Sequence, residues 1–238
     1  MNKAFELTKA GRSHAVVTAG NSGAAMGFAI FTLGRIKGVD RPAIATLHPN
    51  IKGRLTVLLD AGGNVDCKPV NLAQFALMGE ACAQAVLDIE APRVGILSNG
   101  AEETKGNELT REAHALIKEL QINYVGYVEG TDMYSGTSDV VVTDGFVGNV
   151  AVKISEGVAD VLLNFFRKTV SSSLRMRLGH FLLKEAFDKL GKIMDYSEYG
   201  GAPLLGVNGT CIICHGKSNE KAIKNAIGMA KRLSLIHI

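Results

Sequence analysis

Tryptophan is absent from the 238 residues, and aromatic residues of all kinds make up only 6% of them. So few flat rings argue against a platform on which bases stack, and against an aromatic-rich β-sandwich. Cysteine is scarce as well. Cys67, Cys82, Cys211 and Cys214 are too few, in a chain this long, to form a disulfide framework. Charge of one sign is lacking: 26 Lys and Arg stand against 23 Asp and Glu, a net charge of +3. That balance gives no reason to expect nucleic acid as a partner. No run reaches the roughly 18 apolar residues of a membrane-spanning helix. The opening MNKAFELTKAGRSHA has no apolar stretch of the kind a secretory signal needs. The expectation is a cytoplasmic protein, with a peripheral membrane contact left open. Repeats and low-complexity linkers are missing too, so a single domain is expected.

Glycine, by contrast, is abundant at 27 residues, and 47% of the chain is apolar. That suffices for a sizeable core, and glycine serves the strand-to-helix turns of α/β proteins. Apolar strand runs occur at 14–18, 43–47, 55–59, 93–97, 122–128, 139–143 and 210–214. Helical patterns occur at 2–10, 22–33, 70–87, 107–120, 148–169, 173–193 and 219–232. Short strands alternating with helices predict βαβ units and a mostly parallel sheet. The two consecutive helical stretches break that alternation and predict a helical hairpin at about 150–193, leaving the sheet, with Gly179-His180 at its tip. The chain opens on a helix where a parallel sheet would open on a strand, so a preceding segment is expected. Residues 233–238 read as a non-native tail, which leaves 1–232 as the domain.

In open α/β sheets ligands bind where strands end and helices begin. Four such junctions carry polar residues and glycine. The first is Gly20-Asn21-Ser22-Gly23, where backbone and helix-start amides suit an anion, although taken alone a capped tight turn is the favoured reading. The second holds Asp60, Asn64 and Asp66, compatible with an Asx turn and, with no histidine near, only weakly with a metal. In the third, Lys105 stands between glycines at a helix start, either strengthening an anion site or simply solvated beside two glutamates. The fourth is Asp144-Gly145 with Asn149 close to the following helix start. The four together, taken as lying on one edge of one sheet, point to an anion pocket, most simply for phosphate.

Other motifs fail. No dinucleotide fingerprint and no nucleophile elbow occurs. Gly216-Lys217-Ser218 lacks the upstream glycine of a P-loop, since position 211 is Cys. Cys211-Ile212-Ile213-Cys214-His215 matches a haem-attachment pattern, but on a strand residues three apart face opposite sides, so the sulfurs diverge. No cofactor and no metal is expected.

The ordered set TAGNSGAAM, GRIKGVDRPA, LLDAGGNVDCKP, RVGILSNGAEETKGNELT, DVVVTDGFVGN and YSEYGGAPLLG resembles the PlsX phosphate acyltransferases from about residue 12 to about 232. The resemblance implies a Rossmann-like αβα sandwich related to isocitrate dehydrogenases and phosphotransacetylases, in a homodimer. It implies transfer of a fatty acyl group from acyl carrier protein to inorganic phosphate, for phospholipid synthesis at the inner face of the cell membrane. Through KGNE and DGFxGN it carries over Lys105 and Asn149 as catalytic residues, with His215 a further candidate. Lys105 would then hold phosphate charge and Asn149 orient phosphate or the thioester carbonyl, with helix-start amides after Gly20 and Gly145 as added donors. The family's glycine-rich opening loop is absent from this chain, and 216–218 read GKS where the family has GSS.

Residues 167–192 carry seven Lys and Arg against two acids. Leu174, Leu178, Phe181 and Leu182 fall on one helical face, with Arg175 and Arg177 beside them. Such a basic amphipathic helix suits an anionic membrane surface or an acidic carrier protein, and equally a packed dimer. The alternatives are a phosphotransacetylase-like enzyme using acyl-CoA, or a non-catalytic fragment that binds carrier protein or membrane.

Overall fold

The computed structural model describes residues 1–171 and 173–236, with the side chains of Ser171, Leu174, Met194, Tyr196 and Ile236 also outside the description. The expectations for the Leu174 side chain and for residues 237–238 therefore fall outside it. Its strands are β1 (Ala15–Thr18), β2 (Ala43–Pro49), β3 (Leu55–Leu59), β4 (Val94–Leu97), β5 (Tyr124–Val128), β6 (Val140–Val142), β7 (Ala202–Leu205) and β8 (Thr210–Ile213). Its helices are α1 (Asn2–Lys9), α2 (Ser22–Phe28), α3 (Pro69–Leu87), α4 (Glu108–Lys118), α5 (Asp132–Ser135), α6 (Gly145–Ser171), α7 (Leu174–Leu182), α8 (Lys184–Met194) and α9 (Glu220–Ile236).

The eight strands form one sheet in the order β1-β8-β7-β2-β3-β6-β4-β5. Four of the seven pairings are parallel. The three antiparallel ones lie together at the centre, β8-β7-β2-β3. This seam reverses polarity, so β1 and β8 run opposite to β3, β6, β4 and β5. β7 has no counterpart in the sequence reading, because Gly200, Gly201 and Pro203 mask it. It survives a proline because its ladder to β2 uses only Leu204 and Leu205, beyond the missing N–H.

Helices cover both faces, giving the αβα sandwich. Leu72, Phe75, Ala76 and Ala83 of α3 and Ala113 and Ile117 of α4 pack on Val57, Leu59, Val94, Ile96, Val140 and Val142. Ala226, Ala230 and Leu233 of α9 extend that layer over Ile212 and Cys214. On the other face, Phe5 of α1 and Ala25 and Ala29 after β1 meet Val16, Ile44, Cys211 and Ile213. Cys211 and Cys214 thus lie in different layers, on opposite faces of their strand, as their spacing requires. Although α3 has the length and hydropathy of a spanning helix, Leu72, Phe75, Ala76 and Ala83 bury one face of it in the core.

α6 behaves differently. Its first turns pack beside the sheet through Ala151 and Val152, and Ser155 bonds the Tyr134 hydroxyl. Beyond that it leaves the body, with Val158, Val161 and Phe165 more than half exposed at 54%, 69% and 62%. α7 folds back on it, and α8 follows. The turn between α7 and α8 falls at Leu183, and α7 runs uninterrupted through Gly179 and His180. The expected hairpin tip is corrected accordingly: a mid-helix glycine lowers propensity without ending a helix that packing supports.

Candidate active site

Three of the four polar junctions meet at one edge, where β3, β6 and β4 end side by side. The first does not. β1 runs the other way, so Gly20, Asn21, Ser22 and Gly23 lie at the opposite edge, where Cys214 N–H bonds the Thr18 carbonyl (2.7 Å) and brings exposed His215 alongside. The expectation of four loops on one edge fails because strand polarity is a property of pairing, which a single strand's residues do not encode. Asn21 caps α2 by accepting from Ala24 N–H (2.9 Å). His215 Nδ1 accepts from Lys217 N–H (3.1 Å).

At the main edge the loop after β3 is built around Asp60, which is fully buried. One carboxylate oxygen accepts from Ile44 N–H and Gly63 N–H, both 2.9 Å. The other accepts from Asn64 N–H (2.6 Å) and the Asn64 side-chain amide (2.9 Å). Burial pushes this carboxyl above the usual range, and the four donors pull against it. Asn64, also buried, spends its remaining amide N–H on the Pro42 carbonyl (2.7 Å). Asp60 and Asn64 therefore hold the loop in shape. Asp66 is exposed on its rim.

The start of α6 is pressed onto this loop. Gly145 N–H donates to the Asn64 carbonyl (2.7 Å). Asp144 caps the helix, its Oδ1 accepting from Phe146 N–H and Val147 N–H, both 2.9 Å. The amides after Gly145, expected to serve an anion, are thus already taken by protein acceptors. A Cβ on Gly148 would stand 2.0 Å from the Asp60 carbonyl oxygen, so only glycine allows this approach. The same contact aims the next residue, Asn149, outward. Its side-chain N–H reaches the Ala61 carbonyl (3.3 Å), across Gly62, where a Cβ would lie 2.6 Å from the Asn149 nitrogen. One amide N–H and the side-chain oxygen of Asn149 remain for a ligand.

Lys105 belongs to the neighbouring loop after β4. Asn99 Oδ1 accepts from Gly106 N–H (2.9 Å) and closes this loop. Asn107 and Thr110 form a reciprocal cap on α4, each side chain accepting from the other's backbone N–H at 2.9 Å. The stem of Lys105 lies over Gly100, where a Cβ would come within 2.8 Å of its Cγ. Half-buried Lys105 makes no side-chain hydrogen bond or ion pair among the described residues, which leaves its ammonium available. The edge therefore presents the Lys105 ammonium and the Asn149 amide on loops of tightly bonded backbone. Among the described residues no cluster of three His, Cys, Asp or Glu is placed to hold a metal ion.

The need for glycine at 62 and 148 shows only when a distant segment crowds them, Asn149 against Gly62 and the Asp60 carbonyl against Gly148. Arg41 was read only as part of a motif. It lies close enough to oppose, through its charge, the burial that pushes the Cys67 thiol up to about 11.

The αβα sandwich is a fold shared with phosphotransacetylases. The structure superposes on a phosphotransacetylase from Streptococcus pyogenes with a TM-score of 0.67 and 18% identity, over 99% of this chain and 67% of that one. A branched-chain phosphotransacylase from Enterococcus faecalis gives 0.57 and 12%, over 97% and 77%. The model of the fatty acid synthesis protein family matches residues 1–236, and the chain belongs to that family. It is 56% identical over 227 residues to the phosphate acyltransferase of Geobacter sulfurreducens, covering 95% of this chain and 65% of that protein. With the phosphate acyltransferase of Citrifermentans bemidjiense it shares 56% over 232 residues, 98% of this chain and 66% of the relative. The chain thus spans just under two thirds of the length of these relatives.

Proposed function

We propose that this chain supplies the phosphate-binding edge of an acyltransferase that moves a long-chain fatty acyl group from acyl carrier protein to inorganic phosphate. The supporting observation is that Lys105 and Asn149 stand on adjacent strand-end loops, one closed by Asn99 and the other held by Asp60, Gly145 and Gly148, in a chain so similar to phosphate acyltransferases. A phosphate oxygen attacks the thioester carbonyl carbon, a C–O bond forms, and the carbonyl becomes an oxyanion. Collapse breaks the C–S bond, and the carrier leaves as a thiolate that takes up a proton. Lys105 balances phosphate charge, and Asn149 orients phosphate or the carbonyl oxygen. Holding the reactants together lowers the barrier by up to ~7–11 kcal/mol. No covalent enzyme intermediate is needed, because the thioester is already activated.

The product acyl phosphate would enter phospholipid synthesis. The exposed apolar face of α6 supports a homodimer, and the exposed Leu178, Phe181 and Leu182 beside Arg175 and Arg177 support a peripheral contact with the inner face of the cell membrane, from a cytoplasmic location. The test is acyl phosphate formation from palmitoyl-acyl carrier protein and phosphate, on this chain and on one extended to its relatives' length. Lys105→Met should lower turnover at least about 100-fold in whichever form is active. Folded proteins with no activity in either form would overturn the assignment.

A further inference from the structure

Residues 34–42 run along the same edge of the sheet, from a bridge between Arg35 and Val207 to the start of β2. They are held on two sides. Gln74 of α3 accepts from Asp40 N–H (2.9 Å) and donates to the Gly38 carbonyl (3.0 Å). The Arg35 guanidinium closes on the Asp40 carbonyl. On the site side the Pro42 carbonyl receives the Asn64 amide (2.7 Å). This segment is therefore a fixed wall between the site loop and the first turns of α3.

Its outer surface is basic. Arg35, Lys37 and Arg41 are exposed on it, and Lys68 is exposed at the adjoining start of α3. Among the described residues of 34–42 and 65–70, the acids that oppose them are Asp40 and Asp66. Apolar side chains lie close by: Val65 at 59%, and Val70 and Leu77, seven residues apart on α3, at 41% and 43% exposure. Cations with scattered apolar contacts on a rigid surface fit an acidic helical protein, which such a field also steers into place.

We propose that the surface formed by Arg35, Lys37, Arg41, Lys68, Val70 and Leu77 docks the acidic carrier protein that delivers the acyl thioester. The inference rests on the acyl-transfer reading above and adds to it the place of delivery. The basic hairpin is the competing surface. Its Arg175 and Arg177 lie just past the far end of α6, about 33 Å from Asn149 at 1.5 Å per residue. A thioester to be attacked at the loops favours the surface beside them.

The test is fluorescence anisotropy of labelled acyl carrier protein titrated with this chain at low and high salt. Lys37→Glu with Lys68→Glu should weaken binding at least about tenfold and flatten its salt dependence. Lys37→Arg with Lys68→Arg should retain it, and Arg175→Glu with Arg177→Glu should leave it unchanged. Unchanged melting temperatures exclude misfolding as the cause. Binding that survives the Lys37 and Lys68 reversal, or that only the hairpin reversal abolishes, overturns this surface and leaves the carrier reading standing. A chain without substitutions that fails to bind the carrier at all overturns the carrier reading, and the surface with it.

Discussion

Asp60, Gly148 and His48 show how much of this protein is decided by single residues in buried surroundings. Asp60 accepts four hydrogen bonds. In Asp60→Asn one acceptor becomes an NH₂ that faces donors, so the loop loses stability by about 1–3 kcal/mol, and Asn149 moves with it. Denaturant unfolding and turnover should fall together. Gly148→Ala pushes a methyl group into the Asp60 carbonyl, and the melting temperature should drop by several degrees, on the order of a 1–3 kcal/mol overpacking cost. His48 is buried beside Thr46, its Nε2 3.0 Å from Thr46 Oγ1, and burial lowers its pKa from 6.5 to about 4 despite the opposing charge of Glu156. The unfolded chain takes up this proton first as pH falls. The stability contributed by neutral His48 is thus complete above pH 6.5 and is lost progressively down to about pH 4. The loss reaches on the order of 3 kcal/mol. In His48→Gln the melting temperature should depend less steeply on pH across that window. An unaltered slope would show that His48 is not the titrating group.

Among the elements, α4 and α6 contrast. α4 is started by the Asn107–Thr110 reciprocal cap, and the loop carrying Lys105 ends at that cap. Asn107→Ala should cost about 1 kcal/mol and, by loosening the loop, raise the phosphate KM. A drop in stability with unchanged kinetics would separate the cap from the site. α6 is anchored only at its first turns and then shows an apolar face to the outside. Exposed apolar strips of that size mark interaction surfaces. Val161→Glu with Phe165→Glu should shift the protein to a smaller species in sedimentation while leaving its melting temperature nearly unchanged, because neither residue belongs to the core. The helical period of α6 and the apolar runs of β3 and β6 are visible in the residues alone. β7 is not, since glycine and proline obscure a strand that its two neighbours impose.

For the whole molecule, binding and stability are linked. Phosphate that binds only the folded state raises the melting temperature, by about 2.7 kcal/mol of added stability at 100 times Kd. Lys105→Met should abolish that shift, whereas Lys37→Glu should not. The residues by themselves determined the βαβ alternation, the two-sided core, the divergence of Cys211 and Cys214, the hairpin, and the family motifs. These rest on local periodicity and short-range backbone chemistry, which a sequence records directly. Tertiary structure alone decided the antiparallel seam that moves Gly20–Gly23 and His215 to the opposite edge. It also decided the use of the amides after Gly145 by Asn64 and Asp144, and the burial of Asp60. Each depends on which segment packs against which, and hydrogen-bond partners distant in sequence are chosen only when the sheet closes.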